Sequence, residues 1–501
     1  MTSLSVLVPV YNEEHLVATS LARLEVLASS PLLSRVQVVV VDDCSRDGTA
    51  QVLGALQAEL ARRHSPKMEW VFLRHEQNAG KGKAIQTALA RADCELSVIH
   101  DADLEYQPKD LLSIVRVFEE EAADAVFGSR FAGGESRRVL FFWHELGNRL
   151  LTLLTNLATN LNLTDMETCY KAVRTELLKS IPIVSNDFRL EPELAIKLAK
   201  REARIFEVPI SYSGRTYQEG KKINWRDGMR ALGAITRFAL SDDIYVRDEH
   251  GTQIMGRLKR APRFNSWMAD LIRPHCGTRV LEIGSGTGAI TRQLVPRRRY
   301  VATDVNPLHL ATLRALRSDR PYLDAQFCDI TDLETYPRGE ERFDTVIALN
   351  VIEHVERDRE ALVNIRSILA PGGRAIVLVP QGAELFGSLD EVLGHKRRYS
   401  EAALRRLAAE AGFTVHEIIR FNRIGTPVWW VNGKLFKRRT FGLFQVLALN
   451  MLTPIFRRLD TSLPFAPLSL IAVLHQSEGS AAQGNAPSPS DERRERAAEG
   501  S

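Results

Sequence analysis

The feature that most constrains this 501-residue chain is an alternation of short apolar runs with helical patterns, which occurs in two separate series. The first series has apolar runs at Ser5–Val10, Val36–Val41, Trp70–Leu73 and Leu96–His100. The second series has them at Arg279–Ile283, Tyr300–Thr303, Gln326–Cys328, Thr345–Ala348, Arg374–Val379 and Val415–Ile419. Apolar runs of this length between helical patterns predict parallel α/β sheets. We therefore expect two α/β domains.

A charged and irregular stretch separates the two series and indicates a domain boundary. We predict a first domain over residues 1–240, a linker over 241–261 and a second domain over 262–476. Residues 477–501 are rich in Ser, Ala, Glu, Gly and Pro, a composition that predicts a disordered tail.

Charge and cysteine content restrict the class of protein. Lys and Arg number 66 against 62 Asp and Glu, and a net charge of +4 argues against a nucleic-acid partner. The five cysteines include no Cys-x-x-Cys pair, which favours a reducing compartment. The N-terminal residues lack the pattern of a secretory signal. We expect a cytoplasmic location.

Acidic residues follow two strands of the first series. Asp42 and Asp43 follow one strand, and Asp101 and Asp103 follow another. Ligands of open α/β sheets collect at the carboxyl ends of strands, and paired carboxylates can hold Mg²⁺ against substrate phosphates. The pairs therefore indicate a metal-bound diphosphate, as in a nucleotide-sugar, although Asp-x-Asp alone also fits a solvated loop.

Four ordered motifs of the first series carry a resemblance to a known family. They are Val8–Glu14, Val41–Thr49, Asn78–Ala84 and His100–Leu104. Over roughly residues 3–240 the chain resembles family 2 glycosyltransferases with the GT-A fold, of the type that transfers sugars to polyprenyl phosphate. Further segments of this resemblance are Gly128–Phe131, Asp165–Lys171 and Arg215–Lys222.

The resemblance implies the following donor-side roles. The nucleoside would be held by Pro9, Tyr11, Glu13 and Asp42. The ligands of Mg²⁺ or Mn²⁺ would be Asp101, Asp103 and Glu105, with Asp103 also catalytic, although relatives often have Gln in place of Glu105. The residues that close over the donor diphosphate would be Arg215 and Lys221.

On the acceptor side, the resemblance places Arg130 near the acceptor phosphate. Arg130 and Arg215 could instead form ordinary surface ion pairs. Asp165 could act as a base for a hydroxyl acceptor or cap a helix. Residues 139–163 read as an amphipathic helix, which fits either a membrane interface or a neighbouring core.

The second series begins with a glycine loop. Gly284, Gly286 and Ala289 follow the first strand, and Asp304 ends the next one, where an acid can hold ribose hydroxyls. Taken alone, this pattern also satisfies the dinucleotide fingerprint. The later strand ends, with Asp329 and Asn350, favour a different cofactor.

Over roughly residues 262–476 the order of motifs resembles class I S-adenosylmethionine-dependent methyltransferases, which implies a Rossmann-like fold. The resemblance implies that the cofactor is lined by Glu282, Gly284, Gly286, Asp304, Asp329 and Asn350. The candidate catalytic pair, Glu353 and His354, looks like the Glu-His step of ubiquinone-type O-methyltransferases. Those enzymes have another acid where this chain has Asn350, and this departure weakens the case for metal assistance. The pair could also be structural.

Two basic segments of the second series remain open to interpretation. His395–Tyr399 is expected to be a solvated basic face, with binding of an anionic acceptor as the alternative. Residues 425–458 combine Trp429 and Trp430 with basic clusters and the apolar run Phe441–Phe456. That composition indicates membrane-surface contact and an apolar acceptor, with a dimer interface as the alternative.

Together these features predict a bifunctional enzyme, peripheral on the inner face of the cytoplasmic membrane. The first domain would transfer a sugar from a nucleoside-diphosphate donor to polyprenyl phosphate. The second would methylate a related glycan or lipid-linked acceptor with S-adenosylmethionine. The alternatives are a hydroxyl acceptor in a surface glycan or small metabolite, and a non-catalytic first domain that docks an active methyltransferase.

Overall fold

The protein is described from a computed structural model. The structure describes residues 1–63, 65–121, 123–133, 142–214, 225–241, 244, 261–317, 320–339, 341–438 and 442–476. Two compact units form, one from Met1–Leu258 with Ala311–Arg320, the other from Lys259–Leu310 with Pro321–Ser501. The predicted tail 477–501 and most of the predicted linker lie outside the described residues. The predicted domain limits therefore stay predictions.

The first unit is built on a seven-stranded sheet whose order is β3-β2-β1-β4-β6-β5-β7. Its strands are β1 Thr2–Val10, β2 Leu33–Asp42, β3 Met68–Arg74, β4 Leu96–Ile99, β5 Ala125–Ser129, β6 Lys171–Arg174 and β7 Ile205–Pro209. The four predicted strands, β1 to β4, pair in parallel as expected. Strand β6, which the predicted series does not contain, runs antiparallel to both of its neighbours. The α/β class itself is confirmed.

Helices connect and cover these strands. They are α1 Val17–Arg23, α2 Thr49–Leu60, α3 Lys81–Arg91, α4 Asp110–Glu120, α5 Phe142–Thr159, α6 Thr175–Lys179, α7 Leu190–Lys200 and α8 Trp225–Leu240, with a 3-10 helix at Leu24–Ser29. The central strands carry apolar residues on both faces, such as Val38 and Val39, because helices bury both sides of the sheet.

Strand register brings three chain segments to one edge of the first sheet. Val10 pairs with Asp42 across β1 and β2, and Leu7 pairs with Ile99 across β1 and β4. The segments that follow these strands therefore leave the sheet on the same side, at its carboxyl edge. Asp101 lies there as well, because it comes directly after β4.

The second unit has its own seven-stranded sheet, with the order β10-β9-β8-β11-β12-β14-β13. Its strands are β8 Arg279–Ile283, β9 Arg299–Asp304, β10 Leu323–Phe327, β11 Phe343–Leu349, β12 Leu369–Pro380, β13 Phe413–Phe421 and β14 Ser469–Gln476. Strand β14 was absent from the predicted series, and it runs antiparallel between β12 and β13. This order differs from the all-parallel 3-2-1-4-5-6 sheet of dinucleotide-binding folds.

The remaining helices follow in chain order. They are α9 Pro262–Ile272, α10 Thr291–Leu294, α11 Pro307–Arg317, α12 Asp358–Ile368, α13 Ser388–Leu393, α14 Glu401–Glu410, α15 Gly425–Trp430 and α16 Leu443–Leu459. Short 3-10 helices lie at Arg273–His275, Leu333–Thr335, Ile352–His354, Ala383–Leu385 and Asp460–Ser462, and a π-helix at Val431–Leu435. Among the described residues, none of the helices combines the length and apolar character needed to cross a bilayer.

Candidate functional sites

The two acids that end β2 hold different parts of the carboxyl edge in the first unit. Asp42 accepts a hydrogen bond from the Ser45 backbone N–H at 2.9 Å. Asp43 accepts from the backbone N–H groups of Ala79 at 2.9 Å and Gly80 at 2.7 Å. Asp43, which sequence reasoning gave no separate role, thus fixes the loop that leads into α3.

Two glycines of that loop allow it to lie directly against residues 185 and 186. A Cβ on Gly80, whose φ is +92°, would stand 2.1 Å from the backbone oxygen of Asn186. A Cβ on Gly82 would stand 1.9 Å from the backbone oxygen of Ser185. No side chain fits at either position, so the glycines set the place of the residue between them, Lys81.

Lys81 joins helix α7 to the loop that holds the predicted metal ligands, residues 101–105, here named the metal loop. Its Nζ donates to Asp101 Oδ2 at 3.0 Å and to Glu191 Oε1 at 2.9 Å. Burial opposes the charge of Asp101, but the ammonium of Lys81 holds the pKa of that carboxyl below its usual value. Burial likewise opposes the charge of Lys81, and the two carboxylates hold its pKa well above the ordinary value. The edge therefore keeps a fixed cation beside Asp101.

Sequence reasoning missed Lys81 and Glu191 as parts of this site. Lys81 lies inside the motif Asn78–Ala84, so a local signal for it was present. Glu191 had no such signal, because it reaches the site from 110 positions further along the chain.

A second chain of contacts links Glu105 to Arg130 and Asp165. The Tyr212 hydroxyl donates to Glu105 Oε2 at 2.7 Å, and its ring centroid lies 5.1 Å from the guanidinium carbon of Arg130. Arg130 donates from Nε to Asp165 Oδ2 at 2.6 Å and from Nη2 to Asp165 Oδ1 at 2.7 Å. Both partners are buried. The surface ion pair considered for Arg130 is therefore wrong, because the pair is internal.

The helix cap considered for Asp165 is also wrong. No described helix begins at this residue, and the next element is strand β6. Besides the side-chain bonds, Asp165 Oδ2 accepts from the backbone N–H of Arg130 at 3.0 Å. The carboxylate is thus committed to Arg130, main chain and side chain together.

The three predicted metal ligands of the first unit are not gathered into a preformed triad. Among the described residues, the one group of three His, Cys, Asp or Glu ligand atoms within 4.8 Å of one another lies in the second unit. Asp103 Oδ1 accepts from the Glu105 backbone N–H at 3.1 Å, while Glu105 is held by Tyr212. Asp101 and Asp103 still offer carboxylate oxygens on one loop.

The other donor-side residues divide into described and undescribed ones. Pro9, Tyr11 and Glu13 follow or end β1 and are half-buried, and the Glu13 backbone N–H donates to Thr49 Oγ1 at 2.9 Å. Arg215 and Lys221 lie outside the described residues.

In the second unit, the glycine loop follows β8 and is clamped from β9. Gly284, Gly286 and Gly288 have φ values of +70°, +55° and +76°. The Gly286 backbone N–H donates to Asp304 Oδ2 at 2.8 Å. A Cβ on Gly284 would stand 2.5 Å from Val351 Cγ2. The loop therefore needs glycine for its backbone conformation, and at Gly284 also for space.

Glu282 lies beneath that loop rather than on an open surface. Its Oε2 accepts from Thr291 Oγ1 at 2.6 Å and from the Tyr300 hydroxyl at 2.8 Å. Burial raises the pKa of Glu282 to about 7, although these hydrogen bonds oppose the shift. Its contacts tie the glycine loop to α10 and β9.

The remaining predicted cofactor residues stand at neighbouring strand ends. Asp329 Oδ1 accepts from the backbone N–H and the hydroxyl of Thr331, each at 2.8 Å. Asn350 follows β11, is exposed, has a φ of +54° and donates its backbone N–H to Leu378 O at 2.9 Å. Both therefore occupy the carboxyl edge at which cofactors of open sheets bind.

Glu353 and His354 meet His395 next to this edge. Glu353 is fully buried, and burial raises its pKa to about 8. The His395 Nε2 atom lies 4.0 Å from Glu353 Oε1, and its Nδ1 lies 2.8 Å from Asp390 Oδ1. The sequence analysis assigns neither His395 nor Asp390 to this site, although His395 begins the basic segment His395–Tyr399.

His395 and Arg398 contradict the expectation of a solvated basic face over His395–Tyr399. The His395 side chain is 7% exposed, and the Arg398 side chain is 1% exposed. Arg398 Nε donates to Asp390 Oδ1 at 2.8 Å, and the Trp429 ring N–H donates to Asp390 Oδ2 at 3.1 Å. The motif is therefore packed around a buried carboxylate.

Comparison with known families gives matches in both units. The family described as glycosyl transferase family 2 matches residues 5–181, and the family described as methyltransferase domain matches residues 281–375. The chain joins a family 2 glycosyltransferase domain to a methyltransferase domain. The sequence-based predictions of a GT-A transferase and a Rossmann-like methyltransferase are confirmed.

Individual relatives match one domain at a time. The UDP-N-acetylglucosamine–dolichyl-phosphate N-acetylglucosaminyltransferase of Methanococcus voltae is 25% identical over 247 residues, 46% of this chain and 96% of that protein. The undecaprenyl-phosphate 4-deoxy-4-formamido-L-arabinose transferase of Pseudomonas syringae pv. syringae is 28% identical over 209 residues, 40% of this chain and 58% of that protein. A solved S-adenosylmethionine dependent methyltransferase from Mesorhizobium loti is 13% identical, with a TM-score of 0.31, and covers 42% of this chain and 96% of that one.

Proposed function

We propose that the glycosyltransferase domain transfers a sugar from a nucleoside-diphosphate sugar to polyprenyl phosphate, with inversion, and that the methyltransferase domain methylates a related glycan or lipid-linked acceptor. The named relatives support the first half, since one acts on dolichyl phosphate and the other on undecaprenyl phosphate. The nucleoside would lie against Pro9, Tyr11, Glu13 and Asp42. Arg215 and Lys221 would close over the diphosphate.

The observation that carries the lipid-phosphate acceptor is the buried Arg130–Asp165 pair. Two charge-assisted hydrogen bonds hold the guanidinium in one orientation, and Tyr212 packs on it from the side of Glu105. The Arg130 guanidinium is thus held in place beside the metal loop, a position that suits an anionic acceptor. Asp165 is at the same time occupied, which disfavours its use as a base for a hydroxyl.

A phosphate acceptor removes the need for a base. The second pKa of a phosphomonoester is about 6, so its oxygen is mostly anionic at neutral pH. That oxygen would attack the anomeric carbon as the bond to the donor diphosphate breaks, and the diphosphate would leave with the electron pair. Arg130 would orient the attacking phosphate, while Lys81 would stabilise negative charge near Asp101.

Two of the three predicted ligands in the metal loop fit a divalent cation. Asp101 and Asp103 would hold Mg²⁺ or Mn²⁺, since hard cations in such sites take one or two carboxylates together with substrate phosphates. Glu105 has a weaker claim as a ligand, because Tyr212 holds its Oε2 atom. When bound, the cation neutralises charge on the leaving diphosphate.

The full chain offers a direct test of sugar transfer. We would incubate it with Mg²⁺ or Mn²⁺, undecaprenyl phosphate and a panel of radiolabelled UDP- and GDP-sugars, and extract with organic solvent. We expect organic-phase label with one donor and its loss in Asp103→Ala. Asp93→Ala removes an exposed acid before β4, with a side chain 55% exposed, and should leave the label unchanged.

Two results of that experiment would contradict the proposal. Absence of organic label with every donor would favour a non-catalytic first domain. Transfer to a water-soluble alcohol at the same rate, with or without lipid, would favour a hydroxyl acceptor. Circular dichroism of the parent protein would separate the first result from a loss of folding, while the Asp93→Ala control shows whether loss of label in Asp103→Ala is specific to that residue.

In the methyltransferase domain, the glycine loop fits S-adenosylmethionine. The loop conformation would let the backbone at Gly284 and Gly286 approach a bound ligand closely, and Asp304 already fixes the loop. Asp329 and Asn350 would line the cofactor from the neighbouring strands, and Glu282 would support the loop from below. Glu353 and His354 would act at the methyl acceptor.

Two helices support contact with the inner face of the cytoplasmic membrane. Helix α5 exposes an apolar stripe made of Phe142, Trp143, Leu146, Leu150, Leu153 and Leu157. Helix α16 exposes Leu447, Met451, Leu452, Ile455 and Leu459. Exposed basic residues flank the second stripe, at Lys434, Lys437, Arg457 and Arg458. Apolar stripes beside basic residues are typical of helices that lie in a lipid interface.

A further inference from the structure

Beside the proposed methyl-acceptor site, Glu353 and His354 converge with His395, a residue to which the proposed function gives no role. These three residues are here named the 353–395 cluster. One ligand atom from each side chain lies within 4.8 Å of the other two. Glu353 and His354 belong to the short 3-10 helix after β11, whereas His395 follows α13. Three side chains from two chain segments thus converge on one point.

Glu353 lacks the partners that a buried carboxylate needs. Its relative exposure is 0%, and among the described residues neither carboxylate oxygen has a hydrogen-bond partner. An uncompensated buried charge is strongly unfavourable, so native structures pair it or place it on a metal. The nearby Arg398 guanidinium is bonded to Asp390 Oδ1 and to Gln381 O. Without a partner such a carboxyl stays protonated, and a bound cation would stabilise its ionised form.

The two histidines are oriented as metal ligands are. His395 Nδ1 lies 2.8 Å from Asp390 Oδ1, which directs Nε2 toward Glu353. His354 Nδ1 lies 3.3 Å from the Gly394 carbonyl oxygen, which can only accept. Histidines that bind metals commonly donate their second ring N–H to a carboxylate or a backbone carbonyl in this way.

Asp390 is itself fixed by several donors. Its carboxylate accepts from Arg398 Nε at 2.8 Å, the Trp429 ring N–H at 3.1 Å and the Gly387 backbone N–H at 3.0 Å. Such a supported carboxylate holds His395 in one ring orientation before any ligand arrives. The groups that would orient a metal-binding histidine are therefore already in place in the fold.

We propose that Glu353, His354 and His395 bind a divalent first-row transition metal ion. Two imidazoles with one carboxylate suit Zn²⁺, Mn²⁺, Fe²⁺ or Co²⁺, whereas Mg²⁺ prefers oxygen ligands. The cluster follows β11, at the edge of the sheet where the cofactor is expected. A cation there would lower the pKa of an acceptor hydroxyl. The site does not depend on which sugar or acceptor the enzyme uses.

Metal binding can be measured apart from activity. We would strip the full-length Asp103→Asn protein with a chelator, remove the chelator and titrate with Co²⁺, following visible absorption and bound metal. The substitution weakens the metal loop of the glycosyltransferase domain. We expect one Co²⁺ with the absorption of nitrogen-ligated cobalt, and loss of that absorption when His395→Ala is added.

Further variants test the roles of individual residues. His354→Ala should weaken Co²⁺ binding without removing a core side chain, and Asp390→Asn should weaken it by about 10- to 100-fold. His416→Ala, which removes an exposed histidine of the same unit, should bind Co²⁺ like the parent. Circular dichroism and thermal unfolding would confirm that each variant is folded.

Two outcomes would overturn the site. One is the absence of nitrogen-ligated Co²⁺ in the parent protein, which would leave Glu353 and His395 as an acid–base pair without metal. The other is unchanged Co²⁺ binding in folded His395→Ala and His354→Ala variants. Neither outcome bears on sugar transfer.

Discussion

Asp165 can be tested as a positioning residue for Arg130 rather than as a base. Asp165→Asn leaves a buried guanidinium without its counter-charge, and breaking such a pair lowers the free energy of unfolding by about 3–5 kcal/mol. We expect more than a roughly tenfold rise in KM for undecaprenyl phosphate, shared by Arg130→Lys. The pH profile of kcat should keep its shape, because no proton passes through Asp165.

An ion pair on the surface of the same domain provides the matched control. Glu95 pairs with Arg174 at 2.9 Å, and their side chains are 51% and 31% exposed. Exposed pairs contribute about 0–1 kcal/mol, so Glu95→Gln should change neither KM nor stability noticeably. Loss of the acid limb of the kcat profile in Asp165→Asn, with KM unchanged, would instead identify a base.

Residues that carry chemistry were predictable where the signal is local. Asp42, Asp101 and Gly284 stand directly after apolar runs, so the run and the residue together predict a strand-end position. Glu191 and His395 were not predictable as site residues, because their partners Lys81 and Glu353 come from distant parts of the chain. Only the folded sheet brings such pairs into contact.

At the scale of elements, the apolar stripe of α16 predicts binding to lipid. Met451 is 69% exposed and Ile455 is 52% exposed, one helical turn apart. Each apolar side chain removed from water contributes about 1.5–3 kcal/mol, and a carboxylate in its place is repelled by anionic lipid. We expect Met451→Glu with Ile455→Glu to lower co-sedimentation with anionic vesicles by more than about tenfold.

Val363→Glu supplies the control for that experiment. Val363 is an exposed apolar residue of α12, in the same unit but outside the stripe. The Val363→Glu substitution should leave vesicle binding unchanged. Equal co-sedimentation of the double variant and the parent would rule out α16 as the lipid contact, and a change in oligomeric state would point to a dimer interface.

Strand bounds could be predicted where the local sequence alternates between an apolar run and a turn. Strand direction could not, because it depends on the neighbouring strands. The bounds of β8 are those predicted, because Arg279–Ile283 is an apolar run that ends at a glycine loop. Strands β6 and β14, which both run antiparallel to their neighbours, are absent from the predicted series. Antiparallel insertion depends on which neighbours the strand meets, and an isolated run of apolar residues contains no information on that.

At the scale of the whole molecule, two transferases in one chain allow their reactions to be separated by single substitutions. Asp103→Asn affects the metal loop of the glycosyltransferase domain. Gly286→Val affects the methyltransferase domain, because a β-branched residue is strained at a φ of +55°. Each variant should therefore lose one activity and keep the other.

These variants test whether the methyl acceptor is the glycosylated lipid. With labelled S-adenosylmethionine, unlabelled donor and undecaprenyl phosphate, we expect methyl label in the organic phase for the parent protein. Neither variant alone should produce it, whereas a mixture of the two should, because Asp103→Asn supplies methyl transfer and Gly286→Val supplies the lipid-linked sugar. Methyl label in Asp103→Asn alone, without sugar donor, would mean that the domains use separate acceptors. Label from the parent but not from the mixture would mean that the intermediate passes only within one chain.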